Sequence, residues 1–210
     1  ADTALHRILD AIDQLTSTAA SHQRTFVVEV MGRHCGYLPL MAAVAGGADY
    51  VFTPEDPAGQ GWQDDLAEHL RLGREAGRRE SIVLVAEGAH DRDGNELSTQ
   101  LIADTIQERT GEDARVTILG HVQRGGTPSA YDRWMSTLLG YAAVQEILDS
   151  SAEDEPVILG VRRNRITRVP LMKAVHDTRA VKDLIAAGDY AAAQASRGSS
   201  FSSMVGIYHL

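Results

Sequence analysis

Apolar residues are distributed along the chain in short continuous runs that alternate with longer stretches of helical periodicity. A short run is typical of a buried parallel strand, whereas apolar residues three or four positions apart indicate an amphipathic helix. The runs predict strands at residues 26–30, 50–52, 82–86 and 115–119. Helices are predicted from Asp2 or Thr3 through Leu15, at 37–45, 62–79 and 98–108, and from a cap at Ser129 to about Leu148.

The alternation of strands with helices predicts the fold class. It is typical of an α/β three-layer sandwich, in which helices cover both faces of a mostly parallel sheet. The polar stretch 17–23 is expected to link the first helix to the first strand. After a solvated linker at 150–155, residues 157–161 and 166–169 predict a hairpin, and two short helices are expected to finish the chain.

Three of the predicted strands end in a glycine beside a charged or polar residue. These ends are Met31-Gly32-Arg33, Glu87-Gly88 and the segment 121–126, which contains His121 and Arg124. The ligand crevice of an open α/β sheet lies beyond the carboxyl ends of its strands, so these side chains are expected to converge there. Arginines bind phosphate oxygens, and a carboxylate accepts hydrogen bonds from hydroxyl groups. The three ends therefore predict a sugar-phosphate site.

Each of these side chains also has a structural explanation. Arg33 and Arg124 could be surface or salt-bridged residues, Glu87 could cap a turn, and His121 could be a partly buried histidine with satisfied hydrogen bonds. Cys35 has no activating partner nearby in the sequence and is interpreted as a small buried apolar residue. The agreement of three strand ends favours the binding site.

Charge and composition restrict the function classes. The chain of 210 residues has a formal net charge of −9, which argues against non-specific binding to nucleic acid or to an anionic membrane. Lys173 and Lys182 are the only lysines among its 20 basic residues, and this excess of arginine is compatible with an anion site. A single cysteine excludes an internal disulfide, so a cytoplasmic setting is expected. Neither a signal peptide nor a transmembrane run is visible, and because the chain begins at Ala1 we expect it to be part of a longer protein.

Three segments together resemble the 6-phosphofructokinase family. They are V-E-V-M-G-R-H-C-G-Y at 28–37, V-A-E-G-A at 85–89 and L-G-H-V-Q-R-G-G-T-P-S-A-Y-D-R at 119–133. The chain is most similar to the carboxyl-terminal portion of a catalytic half of the eukaryotic-type enzymes. The resemblance implies a fructose 6-phosphate-binding subdomain at 1–133. Residues 134–210 are then expected to pack back towards a nucleotide subdomain that the chain does not contain.

The same resemblance implies roles for individual residues. Arg33 is expected to be catalytic, by stabilising charge on the transferring phosphoryl group. Two arginines, Arg24 and Arg124, are expected to reach the active site of a neighbouring subunit, which requires a homo-oligomer, usually a tetramer. The expected fructose 6-phosphate contacts are Arg24, Met31, Gly32, Arg33, Glu87, His121, Arg124, Ala130, Tyr131, Asp132 and Arg133.

Other parts of the family's machinery have no counterpart in this sequence. The glycine-rich nucleotide stretch and the T-x-D motif with the catalytic aspartate are expected to precede Ala1. ATP and Mg²⁺ are accordingly expected in the complete enzyme but not on residues of this chain, which has no predicted metal ligand. The chain is expected to bind the sugar phosphate without transferring a phosphoryl group by itself. Gly47, Ala48, Asp49 and Arg78 match the region of an allosteric effector site, although other basic contacts of that site are not matched.

Two alternatives remain open from the sequence. One is a pyrophosphate-dependent phosphofructokinase, which the missing glycine-rich stretch would distinguish. The other is a non-catalytic regulatory half that binds a fructose bisphosphate effector. Such halves often lose the arginines that correspond to Arg33 and Arg124, so their presence favours the catalytic type.

Overall fold

A parallel sheet of four strands forms the centre of the computed structural model, which describes residues 1–162 and 164–209. The strands are β1 (Thr25–Val30), β2 (Tyr50–Phe52), β3 (Ser81–Ala86) and β4 (Ala114–Ile118). Their order across the sheet is β2-β3-β1-β4, and every pairing is parallel. All four strand predictions are confirmed to within one residue at each end.

Helices connect and follow these strands. They are α1 (Asp2–His22), α2 (Tyr37–Gly46), α3 (Trp62–Glu75), α4 (Thr99–Thr110), α5 (Ala130–Asp149), α6 (Leu171–Ala186), α7 (Tyr190–Arg197) and α8 (Ser199–Tyr208). A 3₁₀ helix, Gly120–Arg124, follows β4. The predicted hairpin consists of β5 (Val157–Arg162) and β6 (Arg165–Pro170), which pair antiparallel.

The sheet has an apolar core on each face. Because side chains alternate along a strand, Val27 faces α3 and α4, and neighbouring Val28 faces α1 and α2. Leu66 fills the first core and Ile12 the second, both without exposed surface. Burying one such side chain contributes about 1.5–3 kcal/mol. The two cores confirm the predicted three-layer α/β sandwich.

Helix α1 differs from its prediction because it continues through the polar stretch to His22. The hydroxyls of Ser17 and Ser21 donate to helix carbonyl oxygens three residues earlier, and Ala19 is completely buried. These side chains therefore remain compatible with a helix, which ends where Gln23 adopts a left-handed conformation (φ 52°).

The end of α3 and the number of helices after the hairpin also differ from the prediction. Helix α3 ends at Glu75 rather than Arg79, since Gly77 adopts φ 94° and turns the chain towards β3. Three helices rather than two follow the hairpin, because Gly198 at φ 103° separates α7 from α8.

The last helix returns to the sheet domain. Helix α8 packs on α2, Phe201 is almost completely buried, and the hydroxyl of Tyr208 donates to the carbonyl oxygen of Asp49 at 3.2 Å. Helix α5, in contrast, leaves Tyr141, Ile147 and other apolar side chains exposed. Within the described residues, no helix is both long and apolar enough to span a membrane.

Candidate functional site

The carboxyl ends of β1 and β3 form the centre of the predicted crevice. The two strands are neighbours with Val30 opposite Ala86, so the residues that follow them lie side by side. Oε2 of Glu87 accepts hydrogen bonds from the backbone N–H groups of Arg33 (2.9 Å) and Gly32 (3.2 Å). These bonds, assisted by the charges of Arg33 and Arg124, lower the pKa of Glu87. The structure therefore brings Arg33, Glu87 and Arg124 together.

Arg33 has an unusual backbone conformation. Its φ of 53° lies in the left-handed region, which non-glycine residues rarely adopt. The loop is also tightly packed, because a Cβ on Gly88 would lie 2.3 Å from the carbonyl oxygen of Arg33. Glycine at position 88 is therefore required for β1 and β3 to end next to each other in this way.

The 3₁₀ helix after β4 forms the third side of the crevice. The side chain of Gln123 is only 2% exposed. Its Oε1 accepts a hydrogen bond from the N–H of Met31 at 3.2 Å, and its Nε2 donates one to the carbonyl oxygen of Gly120 at 3.0 Å. This buried amide fixes His121 and Arg124, on the same turn, beside the end of β1. Sequence reasoning gave Gln123 no role. Its position inside the quoted 119–133 segment was the available signal.

The basic side chains of the crevice are accessible. Arg33, His121 and Arg124 are all exposed, so His121 is not the partly buried histidine of the structural alternative. Across the described ranges 1–162 and 164–209, no salt bridge to Arg33 or Arg124 is found. Their guanidinium groups are thus available for an anion.

The start of α5 lies near α1. Oδ2 of Asp132 accepts from both the N–H (2.9 Å) and the hydroxyl (2.6 Å) of Thr3. These bonds are the main cause that lowers the pKa of Asp132 to about 2. Asp132 therefore has a structural role in joining two helices, and its predicted contact with substrate remains a prediction.

The other predicted residues of this turn have different surroundings. Tyr131 packs edge-on against Trp134 with ring centroids 5.5 Å apart, and Nε of Arg133 donates to the carbonyl oxygen of Pro128 at 3.0 Å. Ala130 is the first residue of α5 and is exposed. Among the described residues, no hydrogen bond or ion pair joins these three side chains to Glu87.

Arg24 lies at the opposite edge of the sheet. It precedes β1, and its backbone lies about 20 Å along the strand from Val30, the last residue of β1, at 3.3 Å per residue. Its Nε contacts Oδ2 of Asp113 at 2.8 Å, and Arg115 contacts the same oxygen at 2.9 Å. Arg24 and Arg124 therefore occupy opposite edges. Sequence reasoning did not single out Arg115, because its position opposite Phe26, two residues after Arg24, is visible only in the strand register of the structure.

The four predicted effector residues line a single cavity of about 700 Å³. Oδ2 of Asp49 accepts from the N–H of Ile82 at 2.8 Å, and its Oδ1 pairs with Arg78. Gly47 and Ala48 form the adjacent wall, and α8 closes the cavity through Tyr208. The structure thus brings all four together, about a cavity of the size that small-molecule sites have.

Among the residues that the structure describes, no group of three or more His, Cys, Asp and Glu side chains could hold a metal ion.

Comparisons with known proteins agree with this architecture. The family model described as Phosphofructokinase matches residues 1–147. The chain is 46% identical over 209 residues to the liver-type ATP-dependent 6-phosphofructokinase of Bos taurus, covering 100% of this chain and 27% of that protein. It is 50% identical over 200 residues to the ATP-dependent 6-phosphofructokinase of Aspergillus niger, covering 95% of this chain and 26% of that protein. The chain thus spans about a quarter of the length of these curated relatives.

Solved structures give the same result. The phosphofructokinase of Saccharomyces cerevisiae superposes with a TM-score of 0.94 at 44% identity, over 98% of this chain and 28% of that one. A pyrophosphate-dependent phosphofructokinase of Nitrosospira multiformis superposes with a TM-score of 0.68 at 20% identity, over 81% of this chain and 46% of that one. At this identity the similarity shows a shared fold alone. From its sequence and its fold together, this chain belongs to the phosphofructokinase family.

Proposed function

We propose that this chain carries the fructose 6-phosphate half of the active site of an ATP-dependent 6-phosphofructokinase. The observation that supports this most is the pair of arginines, Arg33 and Arg124, that flank Glu87 at the carboxyl edge of the sheet without a carboxylate salt-bridge partner in the described structure.

The chemistry of a sugar phosphate suits these groups. Arg33 and Arg124 can donate paired hydrogen bonds to phosphate oxygens. Oε2 of Glu87 is engaged by the backbone, whereas its Oε1 accepts no hydrogen bond from the described residues and can accept one from a sugar hydroxyl. Because its pKa is lowered, Glu87 is ionised at neutral pH. The further contacts expected are those of the sequence prediction: Arg24, Met31, Gly32, His121, Ala130, Tyr131, Asp132 and Arg133.

Arg33 has a second role in the reaction. Beyond binding, its guanidinium would stabilise negative charge on the phosphoryl group as this moves to the 1-hydroxyl of the sugar. The aspartate that accepts the hydroxyl proton, and the residues that hold ATP and Mg²⁺, would come from outside this chain. By itself the chain would therefore bind substrate in a cytoplasmic enzyme without phosphorylating it.

The second arginine pair supports a homo-oligomer. Arg24 and Arg115 lie around Asp113 at the edge opposite the crevice, too far to act on a ligand beside Glu87 of the same chain. We assign them to the crevice of a neighbouring subunit, in a tetramer of the complete enzyme. Arg124, because of its closeness to Glu87, is assigned to the crevice of its own chain and no longer to a neighbour's.

Different observations bear on the identity of the phosphoryl donor and on the alternative of a regulatory role. Relatives at 46–50% identity carry ATP-dependent names, whereas the pyrophosphate-dependent likeness is one of fold, so ATP is the proposed donor. A regulatory role is a second candidate, since the 700 Å³ cavity with Arg78 could take an anionic effector.

Titration of fructose 6-phosphate by calorimetry tests the proposal. The Arg124→Ala variant should bind at least about tenfold more weakly, a difference of about 1.4 kcal/mol, because one phosphate-binding guanidinium is lost. Arg168→Ala is the matched control, since Arg168 is exposed and pairs with Glu146 on α5. Equal affinities of the wild-type chain and the Arg124→Ala variant would refute the assignment of this crevice.

A further inference from the structure

A buried carboxylate lies behind the loop that carries Arg33. Glu55 has no exposed surface, and both of its carboxylate oxygens have a partner. Nε of Arg197 donates to Oε1 at 2.8 Å, and the N–H of Gly36 donates to Oε2 at 2.8 Å. Because an unpaired charge at such depth is strongly unfavourable, Glu55 and Arg197 depend on each other.

Arg197 also holds the loop directly. Nη2 of Arg197 donates to the carbonyl oxygen of His34 at 2.6 Å. Nε2 of Gln194, one turn earlier on α7, donates to the carbonyl oxygen of Glu55 at 2.9 Å. The guanidinium thus joins two points of the loop, one through Glu55 and one at the residue that follows Arg33. Lysine at this position would not reproduce the pair of bonds, since they come from two different guanidinium nitrogens and lysine has only one nitrogen.

The loop is also tightly packed against its surroundings. A Cβ on Gly36 would lie 2.5 Å from the Cβ of Thr53, and one on Gly32 would lie 2.3 Å from the carbonyl oxygen of Cys35. Between these two glycines, Arg33 has its left-handed backbone conformation, with its N–H bound to Glu87. The contacts of Glu87 hold one side of the loop, and those of Arg197 hold the other.

We infer that Glu55 and Arg197 are positioning residues, which set the backbone conformation of Arg33 and so make α7 a requirement for sugar-phosphate binding. This inference rests on the proposed function for its ligand but not for its structural readout. Glu55 cannot touch a ligand, because it has no exposed surface. Any effect of Glu55 on ligand binding must therefore arise from a change in the conformation of the loop.

The test compares Glu55→Gln, Arg197→Lys, Arg197→Met and the double variant Glu55→Gln/Arg197→Met. Dissociation constants for fructose 6-phosphate are measured well below the unfolding temperature of each variant, which is determined separately. Hydrogen exchange of the Gly32 and Arg33 amides is followed by NMR without ligand. Arg168→Met/Glu146→Gln, which removes an exposed ion pair, is the control.

Positioning predicts that folded Glu55→Gln and Arg197→Met bind about tenfold more weakly or worse, with faster exchange at the Arg33 amide. Arg197→Lys should fall between these variants and the wild type, because it keeps the charge and loses one bond. The double variant should lose less than the sum of the single losses, since the residues act as one unit. The control should match the wild type.

A different pattern would overturn the inference. If the variants lose thermal stability but keep wild-type affinity and wild-type exchange at Arg33, the pair is only a structural contact. If the wild type does not bind fructose 6-phosphate but exchange at Arg33 still accelerates in the variants, the proposed function fails and the positioning role stands.

Discussion

At the scale of single residues, the backbone conformation around the crevice depends on Gly88, where a side chain would not fit, and on the buried side chain of Gln123. Arg33 turns its backbone into the left-handed region, and this is possible because Gly88 leaves room for the Arg33 carbonyl group. The charged side chains that would contact a ligand are exposed, whereas the groups that fix their backbone, Gly88 and Gln123, are packed or buried.

Gly88→Ala should therefore disturb both stability and binding. The added Cβ would lie 2.3 Å from the carbonyl oxygen of Arg33, so the loop must shift, and overpacking of this kind costs about 1–3 kcal/mol. Chemical denaturation and fructose 6-phosphate titration measure the two effects. Gly140→Ala is the matched control, because nothing lies within 4 Å of its Cβ position on α5 and the helix should gain up to about 1 kcal/mol. A Gly88→Ala protein with wild-type stability and affinity would contradict the packing described.

At the scale of elements, the start of α5 is joined to the start of α1 by the Asp132 carboxylate and Thr3. The pKa of Asp132 is lowered from 3.8 to about 2 in the folded chain. A carboxylate with a depressed pKa stabilises the fold above its unfolded pKa, and this contribution is lost as pH falls towards the folded value.

Asp132→Asn should therefore destabilise the protein most above about pH 4. The difference in unfolding free energy between wild type and variant should shrink as the pH is lowered from 4 towards 2, which urea denaturation followed by circular dichroism can measure. A difference that stays constant over this range would show that the ionised carboxylate is not what joins the helices.

Elements also show what the sequence could and could not predict. Strands β1 and β3 were predictable because each is a largely apolar run buried on both faces, and the ends at Arg33, Glu87 and Arg124 followed from strand direction. The continuation of α1 through Ser17 and Ser21 was not, since it depends on hydroxyl bonds back to the helix. The Glu55–Arg197 pair joins residues 142 positions apart, and neither position carries a periodic signal.

At the scale of the whole molecule, two arginine groups lie at opposite edges of one sheet. The crevice edge has Arg33 and Arg124, and the other edge has Arg24 and Arg115 around Asp113. If each crevice is completed by the opposite edge of a neighbouring subunit, a defect at one edge can be complemented by an intact edge on a different chain.

Mixing two defective variants tests this arrangement. Arg33→Ala and Arg115→Ala should each bind fructose 6-phosphate poorly, and after dissociation and random reassembly about a quarter of all sites should regain both intact edges. Calorimetry gives the number of restored sites, and analytical ultracentrifugation confirms that the variants assemble. No restored binding in mixed oligomers would place all the phosphate contacts within one chain.

The order of the strands has a consequence for synthesis. The central strand β1 pairs with β3 and β4, with Thr25 opposite Ser81 and Ala114. On a ribosome that adds about 5–20 residues per second, β3 is synthesised roughly 3–11 s after β1, and β4 roughly 4–18 s after β1. During that interval its apolar run has no permanent neighbour in the sheet. A nascent chain paused between these strands should therefore be a preferred chaperone client, and slow codons after β4 would be better tolerated than slow codons before it.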